Sequence, residues 1–234
     1  MNSSTLNRPN RSPFTGKAEL AANLNNLGEC LDALGRRQEA LAATEEAVII
    51  ERELATEVSD AFRPDLAMSL NRLGNDLDAL NRREEALTVT EEAVTIYREL
   101  AASQPDVFRC DLARSLENCA ILLSALNRHE EALAATQEVV SIRRAIAAGR
   151  SEALCPDLAM SLNKLGSHLG ALDRREEALT VTEEAVTILR ELASSRPGVG
   201  PDLAMSLENC AILLYALNRH EEAVTRLYEA YGGH

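Results

Sequence analysis

The chain has 234 residues, of which 3% are aromatic and none is Trp, so thin helical layers packed through small side chains are expected in place of one thick core. A formal net charge of -13 and a pI near 4.8 exclude a nucleic-acid surface, because phosphate binding needs clustered Lys and Arg. No run of 18 apolar residues is present, which excludes a membrane-spanning helix.

Residues 1–17, MNSSTLNRPNRSPFTGK, are polar, hold two Pro and match nothing later in the chain. They are expected to form a disordered or leader tail, and they lack the apolar stretch of a signal peptide. The five Cys show neither a disulfide framework nor CxxC spacing, which fits a reducing compartment and predicts a cytoplasmic protein.

From residue 18 onward one unit recurs. ELAANLN begins at Glu19, DLAMSLN at Asp65, DLARSLE at Asp111, DLAMSLN at Asp157 and DLAMSLE at Asp202, at spacings of 46, 46, 46 and 45. A regular period of this length means one supersecondary unit copied and stacked, with units near 19–64, 65–110, 111–156, 157–201 and 202–234. In the second unit Leu66, Leu70, Leu73, Leu77 and Leu80 recur at intervals of four and three, the stripe of an amphipathic helix, helix A. Asp65, Asp111, Asp157 and Asp202 are expected to be its N-caps.

Helix A is expected to stop near Gly35, Asn81, Asn127, Asp173 and Asn218, residue types that tolerate the left-handed conformation. Ala86, Thr90, Ala93, Tyr97 and Leu100 then give a second stripe, predicting a helix B of about 20 residues folded back antiparallel. The segments EVSDAFRP, SQPDVFR and SSRPGVGP carry helix-breaking residues and are expected to be connectors.

These residues resemble the tetratricopeptide repeat family, in its kinesin-light-chain-like long-repeat form. Its pattern of large residue, Leu-Gly, large residue, then Ala, bulkier residue, Ala is met by Leu24, Leu27, Gly28, Leu31, Ala40, Thr44 and Ala47. It is met again by Leu70, Leu73, Gly74, Leu77, Ala86, Thr90 and Ala93, and by Leu162, Leu165, Gly166, Leu169, Ala178, Thr182 and Ala185. Units three and five place Ala120 and Ala211 at the small position. Gly74 and Ala86 are expected to let the two helices approach closely. The departures are the 46-residue period, no Pro closing helix B, and Thr in place of an aromatic. The resemblance covers about residues 18 to 231. It implies an all-α fold, a right-handed superhelix of αα-hairpins (a TPR solenoid) with five repeats, and a concave wall lined by the A helices.

With the small residue of helix A as position eight, the resemblance implies a wall made of positions two, five, six, nine and twelve. Position five holds Asn25, Asn71, Glu117, Asn163 and Glu208. An Asn ladder can donate to and accept from the backbone of an extended peptide, as kinesin light chains similarly use Asn. Differences between near-identical units point to the same wall. Units two and four differ at six of 36 aligned positions, among them Arg72/Lys164, Asn75/Ser167 and Asp78/Gly170. Units three and five differ at three of 23, among them Arg114/Met205 and Ser124/Tyr215. The copies have diversified on one face while Arg82–Ile96 equals Arg174–Ile188 residue for residue.

No enzyme, metal site or cofactor is expected. His129 and His220 are equivalent positions at the start of helix B, and the pairs Glu84-Glu85, Glu91-Glu92 and Glu183-Glu184 recur on a solvated helix face. Cys119 and Cys210 are expected to be buried small hydrophobes, with Cys110 and Cys155 in connectors. The expected function is a scaffold that binds a protein or peptide, with no nucleic acid and no membrane. The alternative is a self-assembly module, a homo-oligomer formed through a last unit whose helix B is short and uncapped.

Overall fold

The computed structural model describes residues 13–58, 60–149, 155–194 and 197–231, and among them every regular element is helical. Ten α-helices follow in order: α1 (Pro13–Ala33), α2 (Arg37–Glu57), α3 (Arg63–Ala79), α4 (Arg83–Ser103), α5 (Pro105–Ala125), α6 (His129–Gly149), α7 (Cys155–Ala171), α8 (Arg175–Ala193), α9 (Gly200–Ala216) and α10 (His220–Tyr231). Odd-numbered helices are the A helices and even-numbered ones the B helices, so five hairpins match the five sequence repeats. The chain divides into two compact units, one up to Leu100 and one from Ala101.

Each A-to-B turn forms the way its residue types dictate. Gly35, Asn81, Asn127, Asp173 and Asn218 all adopt positive φ, between 60° and 73°. The next residue, always Arg, sends its amide back to the carbonyl five residues earlier, as from Arg36 to Leu31 at 2.9 Å and from Arg174 to Leu169 at 2.9 Å. These bonds satisfy helix-end carbonyls in a Schellman arrangement. The same Arg immediately precedes helix B and forks onto the Glu three residues on: Arg36 on Glu39, Arg82 on Glu85, Arg128 on Glu131, Arg174 on Glu177 and Arg219 on Glu222. Each fork holds its Glu below the usual carboxylate range through the Arg hydrogen bond.

The helix starts differ from the sequence expectation. Asp65, Asp157 and Asp202 are not N-caps but third residues of α3, α7 and α9, preceded by Pro64, Pro156 and Pro201 at the second position. Pro is tolerated there because its missing N–H would have no helical partner, and the Asp still favours the positive helix end. Unit three has Cys110 where units two, four and five have Pro, so nothing stops the helix. It begins at Pro105, which leaves Asp111 seventh in α5. The expected connector SQPDVFR is therefore mostly helix, with Cys110 inside it, and Cys155 opens α7. Of the expected tail 1–17, residues 13–17 belong to α1 and residues 1–12 lie outside the described residues.

In the first unit Leu66, Leu70, Leu73 and Leu77 of α3 and Ala86, Ala93 and Tyr97 of α4 are buried. The small positions set the spacing. A Cβ at Gly28 would lie 2.9 Å from Thr44 Oγ1, and at Gly74 it would press still closer on Thr90. Gly166 faces Thr182 in the same way in the second unit. The buried Thr44, Thr136 and Thr182 hydroxyls donate to the carbonyls of Ala40, Ala132 and Ala178. A Thr fits there because the helices are too close for an aromatic ring. In the second unit the cores join successive hairpins: Leu133 and Val140 of α6 share one cluster with Leu158, Leu162 and Leu165 of α7. Leu179 and Val186 of α8 share another with Leu207, Cys210 and Leu214 of α9.

Candidate functional site

Position five of helix A does a different job from the one its residue types suggest. Asn25 and Asn163 are only 8% and 5% exposed, and Asn71 is buried too. Asn25 Nδ2 donates to Ser69 Oγ of the next repeat at 2.6 Å, and Asn163 Nδ2 to Ser206 Oγ at 2.6 Å. Ser206 gives its own proton to the Asp202 carbonyl at 2.9 Å, so its oxygen is the acceptor for the amide. Asn25 and Asn163 thus each tie one repeat to the next.

Glu117 keeps that tie with a different pair of side chains. Its carboxylate receives Arg143 at 2.8 Å and Lys164 at 3.4 Å, and Arg143 reaches on to Ser161 Oγ and the Asp157 carbonyl, each at 2.5 Å. Ser161 occupies the register of Ser69 and Ser206. Arg143 sits on α6 where α2 has Glu51, so the Asn-to-Glu exchange at position five is matched by a Glu-to-Arg exchange on helix B. Glu208 accepts a hydrogen bond from the Tyr231 hydroxyl. Glu51 itself is buried, receives Asn25 Nδ2 at 3.3 Å, and has its carboxyl pushed up to about 7 by burial.

The remaining expected wall residues are open to solvent or partly so. Asn75, Arg114, Ser167 and Tyr215 are exposed, and Arg72, Asp78 and Lys164 are half-buried. Several are held in place: Arg72 lies 3.6 Å from Glu29, Asp78 3.3 Å from Arg83, and Arg114 2.8 Å from Asp111. Ser167 donates to the Asn163 carbonyl, and the Tyr215 ring meets that of His220 with centroids 4.7 Å apart.

In the second unit Glu117, Asn163, Lys164 and Ser167 line two shallow grooves between successive A helices. One, of about 380 Å³ between α5 and α7, is lined by Glu117, Ile121, Ser124, Lys164, Ser167 and His168. The other, of about 270 Å³ between α7 and α9, is lined by Asn163, Ser167, Gly170, Asn209, Ile212 and Leu213. Ile121 and Ile212, both at position nine, are 50% and 66% exposed, and Met205 at position two is exposed as well. Comparison of copies could not find the two Ile, because units three and five share the residue. An apolar residue at an expected solvent position of helix A was the signal available in the sequence.

Among the described residues no three His, Cys, Asp or Glu side chains are grouped to hold a metal ion. Cys119 and Cys210 are buried, and burial pushes the Cys210 thiol up to about 11, away from thiolate reactivity. His168 is held below the usual imidazole range by burial and by His129 nearby. Among the described residues no helix is long and apolar enough to cross a membrane.

A family model described as tetratricopeptide repeat matches residues 66–106 and 112–147. A second, described as anaphase-promoting complex subunit 5, matches residues 15–71, 147–197 and 194–231, so it also follows the repeat from copy to copy. Among solved structures, BtubC (BKLC) from P. vanneervenii superposes with a TM-score of 0.74 at 20% identity, covering 92% of this chain and 79% of that one. A putative kinesin light chain of nearly identical TPR-like repeats from Podosopora anserina gives 0.73 at 21% identity, covering 92% and 95%. MamA from Desulfovibrio magneticus RS-1 gives 0.61 at 16%, covering 92% and 93%. No curated protein sequence matches significantly. At these identities the likeness is one of fold, that of a TPR solenoid. The chain carries tetratricopeptide repeats, and it belongs to the family whose model, described as anaphase-promoting complex subunit 5, matches more than half of its length.

Proposed function

We propose that the protein is an interaction scaffold, and that its second unit binds a peptide segment of a partner protein along the grooves between α5, α7 and α9. The carrying observation is that Ile121, Met205, Ile212 and Tyr215 stand exposed at wall positions of helix A, beside the polar Glu117, Lys164 and Ser167. Large apolar side chains that no repeat junction covers, rimmed by polar groups, are the surface on which a peptide gains affinity and register. Two grooves this shallow suit side chains of a segment, not a small molecule that needs most of its surface buried. The partner segment carries apolar anchors and a neutral or basic charge, since the chain itself bears -13. Binding without catalysis, in a cytoplasmic setting, is part of the same proposal.

The test is selection of binders from a random peptide display library, followed by titration calorimetry of the enriched peptides. Ile121→Glu and Ile212→Glu are each expected to weaken binding at least about tenfold, the cost of losing one apolar anchor. Asn25→Ala, which makes the equivalent tie outside the grooves, is expected to lower thermal stability instead, and to leave affinity unchanged at a temperature where both proteins are folded. Enriched peptides that bind Ile121→Glu and Ile212→Glu as tightly as the parent would sink the proposal.

A further inference from the structure

Inside the second unit one junction is made twice. Leu133 and Val140 of α6 pack in one core with Leu158 and Leu165 of α7, and Leu179 and Val186 of α8 in another with Cys210 and Leu214 of α9. On α10 the register of those helix-B residues is held by Val224 and Tyr231. They are 50% and 65% exposed, where Leu133, Val140, Leu179 and Val186 are each 3% exposed. Leu227 and Tyr228 join them around an apolar hollow of about 500 Å³. On α1 the register of Leu158 and Leu165 is held by Leu20 and Leu27, and these too are exposed, as is Leu34 one turn of the heptad on.

Each of these faces is half of the junction that the chain already uses between repeats. We infer that the outer face of α1 in one copy docks on the outer face of α10 in a second copy, so that the repeat-to-repeat junction continues from chain to chain. The occupant is a second copy because α1 offers Leu at the register where α7 fits α6, and α10 offers apolar residues at the register that receives it. The contact joins two different surfaces, so it is heterologous, and each added copy leaves one free face of each kind. It covers few side chains against the roughly 800 Å² per partner of a standard interface, so association is weak and depends on concentration. No residue is shared with the peptide grooves, and the inference stands or falls apart from them.

Sedimentation velocity on the 234-residue chain, from micromolar to millimolar concentration, tests it with two variants. Leu27→Glu and Val224→Glu alter positions already half exposed, and circular dichroism checks that both stay folded. The parent is expected to grow in mass with concentration, and each variant alone is expected to stay monomeric. Mixed in equal amounts they are expected to form a one-to-one dimer, doubling the mass, because one brings an intact α10 and the other an intact α1. A parent that stays monomeric throughout overturns the inference. So does Leu27→Glu or Val224→Glu associating with itself, which would mean a symmetric contact, and so does a mixture that stays monomeric.

Discussion

Glu51 is the most consequential single ionisable group. Burial raises its carboxyl to about 7, with the Asp65 charge adding to the rise and hydrogen bonds from Ser69 and Asn25 opposing it. The folded pKa lies above the usual value, so the folded state holds the proton more tightly than the unfolded chain does. The stability this contributes is fully present below about pH 4.5 and is lost as pH rises through about 7, up to about 3 kcal/mol in all. Thermal melts of the parent are expected to fall in Tm across that window, and Glu51→Gln is expected to flatten the profile. A parent whose profile matches that of Glu51→Gln would remove Glu51 from this role. The sequence displayed the Asn of position five plainly, yet what it bonds was decided by side chains 26 and 44 residues away, Glu51 and Ser69.

At the scale of the element, the A-to-B turns were legible because their determinants are local: a residue that tolerates positive φ, then an Arg and a Glu three residues on. The helix starts were less legible, because Asp is a good cap in isolation and the neighbouring Pro or Cys decides where the helix begins. That reasoning predicts the effect of Cys110→Pro. The N–H that a residue inside α5 donates would be lost, and the helix should restart two residues before Asp111, as in α3, α7 and α9. Hydrogen exchange is expected to show lost protection over residues 106–109, with a loss of about one turn by circular dichroism and a cost of about 3 kcal/mol. Retained protection there would mean that contacts along α5 hold the longer helix regardless of local preference.

For the whole molecule, the charge of -13 opposes any contact between copies. Added salt screens that repulsion while leaving apolar contact intact, so head-to-tail association is expected to strengthen from low to moderate ionic strength at fixed protein concentration. Sedimentation measures it, and an average mass that falls with salt would point to ion pairs as the source of the contact. A basic partner segment in the peptide grooves would respond in the opposite sense, which separates the two surfaces by one variable.

The sequence by itself determined the number of hairpins, their all-α class, their turns and the residues of each apolar stripe. All of these follow from periodicity and from backbone preferences that act over a few residues. Only the tertiary structure decided which polar positions are free. Asn25 and Asn163 recur at the same helical position as any exposed residue might, and the stacking of the next repeat buries them against Ser69 and Ser206. Ile121 and Ile212 carry the opposite lesson, since an apolar type at a helical position says nothing of whether a neighbour covers it. Val224 and Leu27 are apolar residues at junction registers, and their exposure depends on which surface, if any, meets them in space.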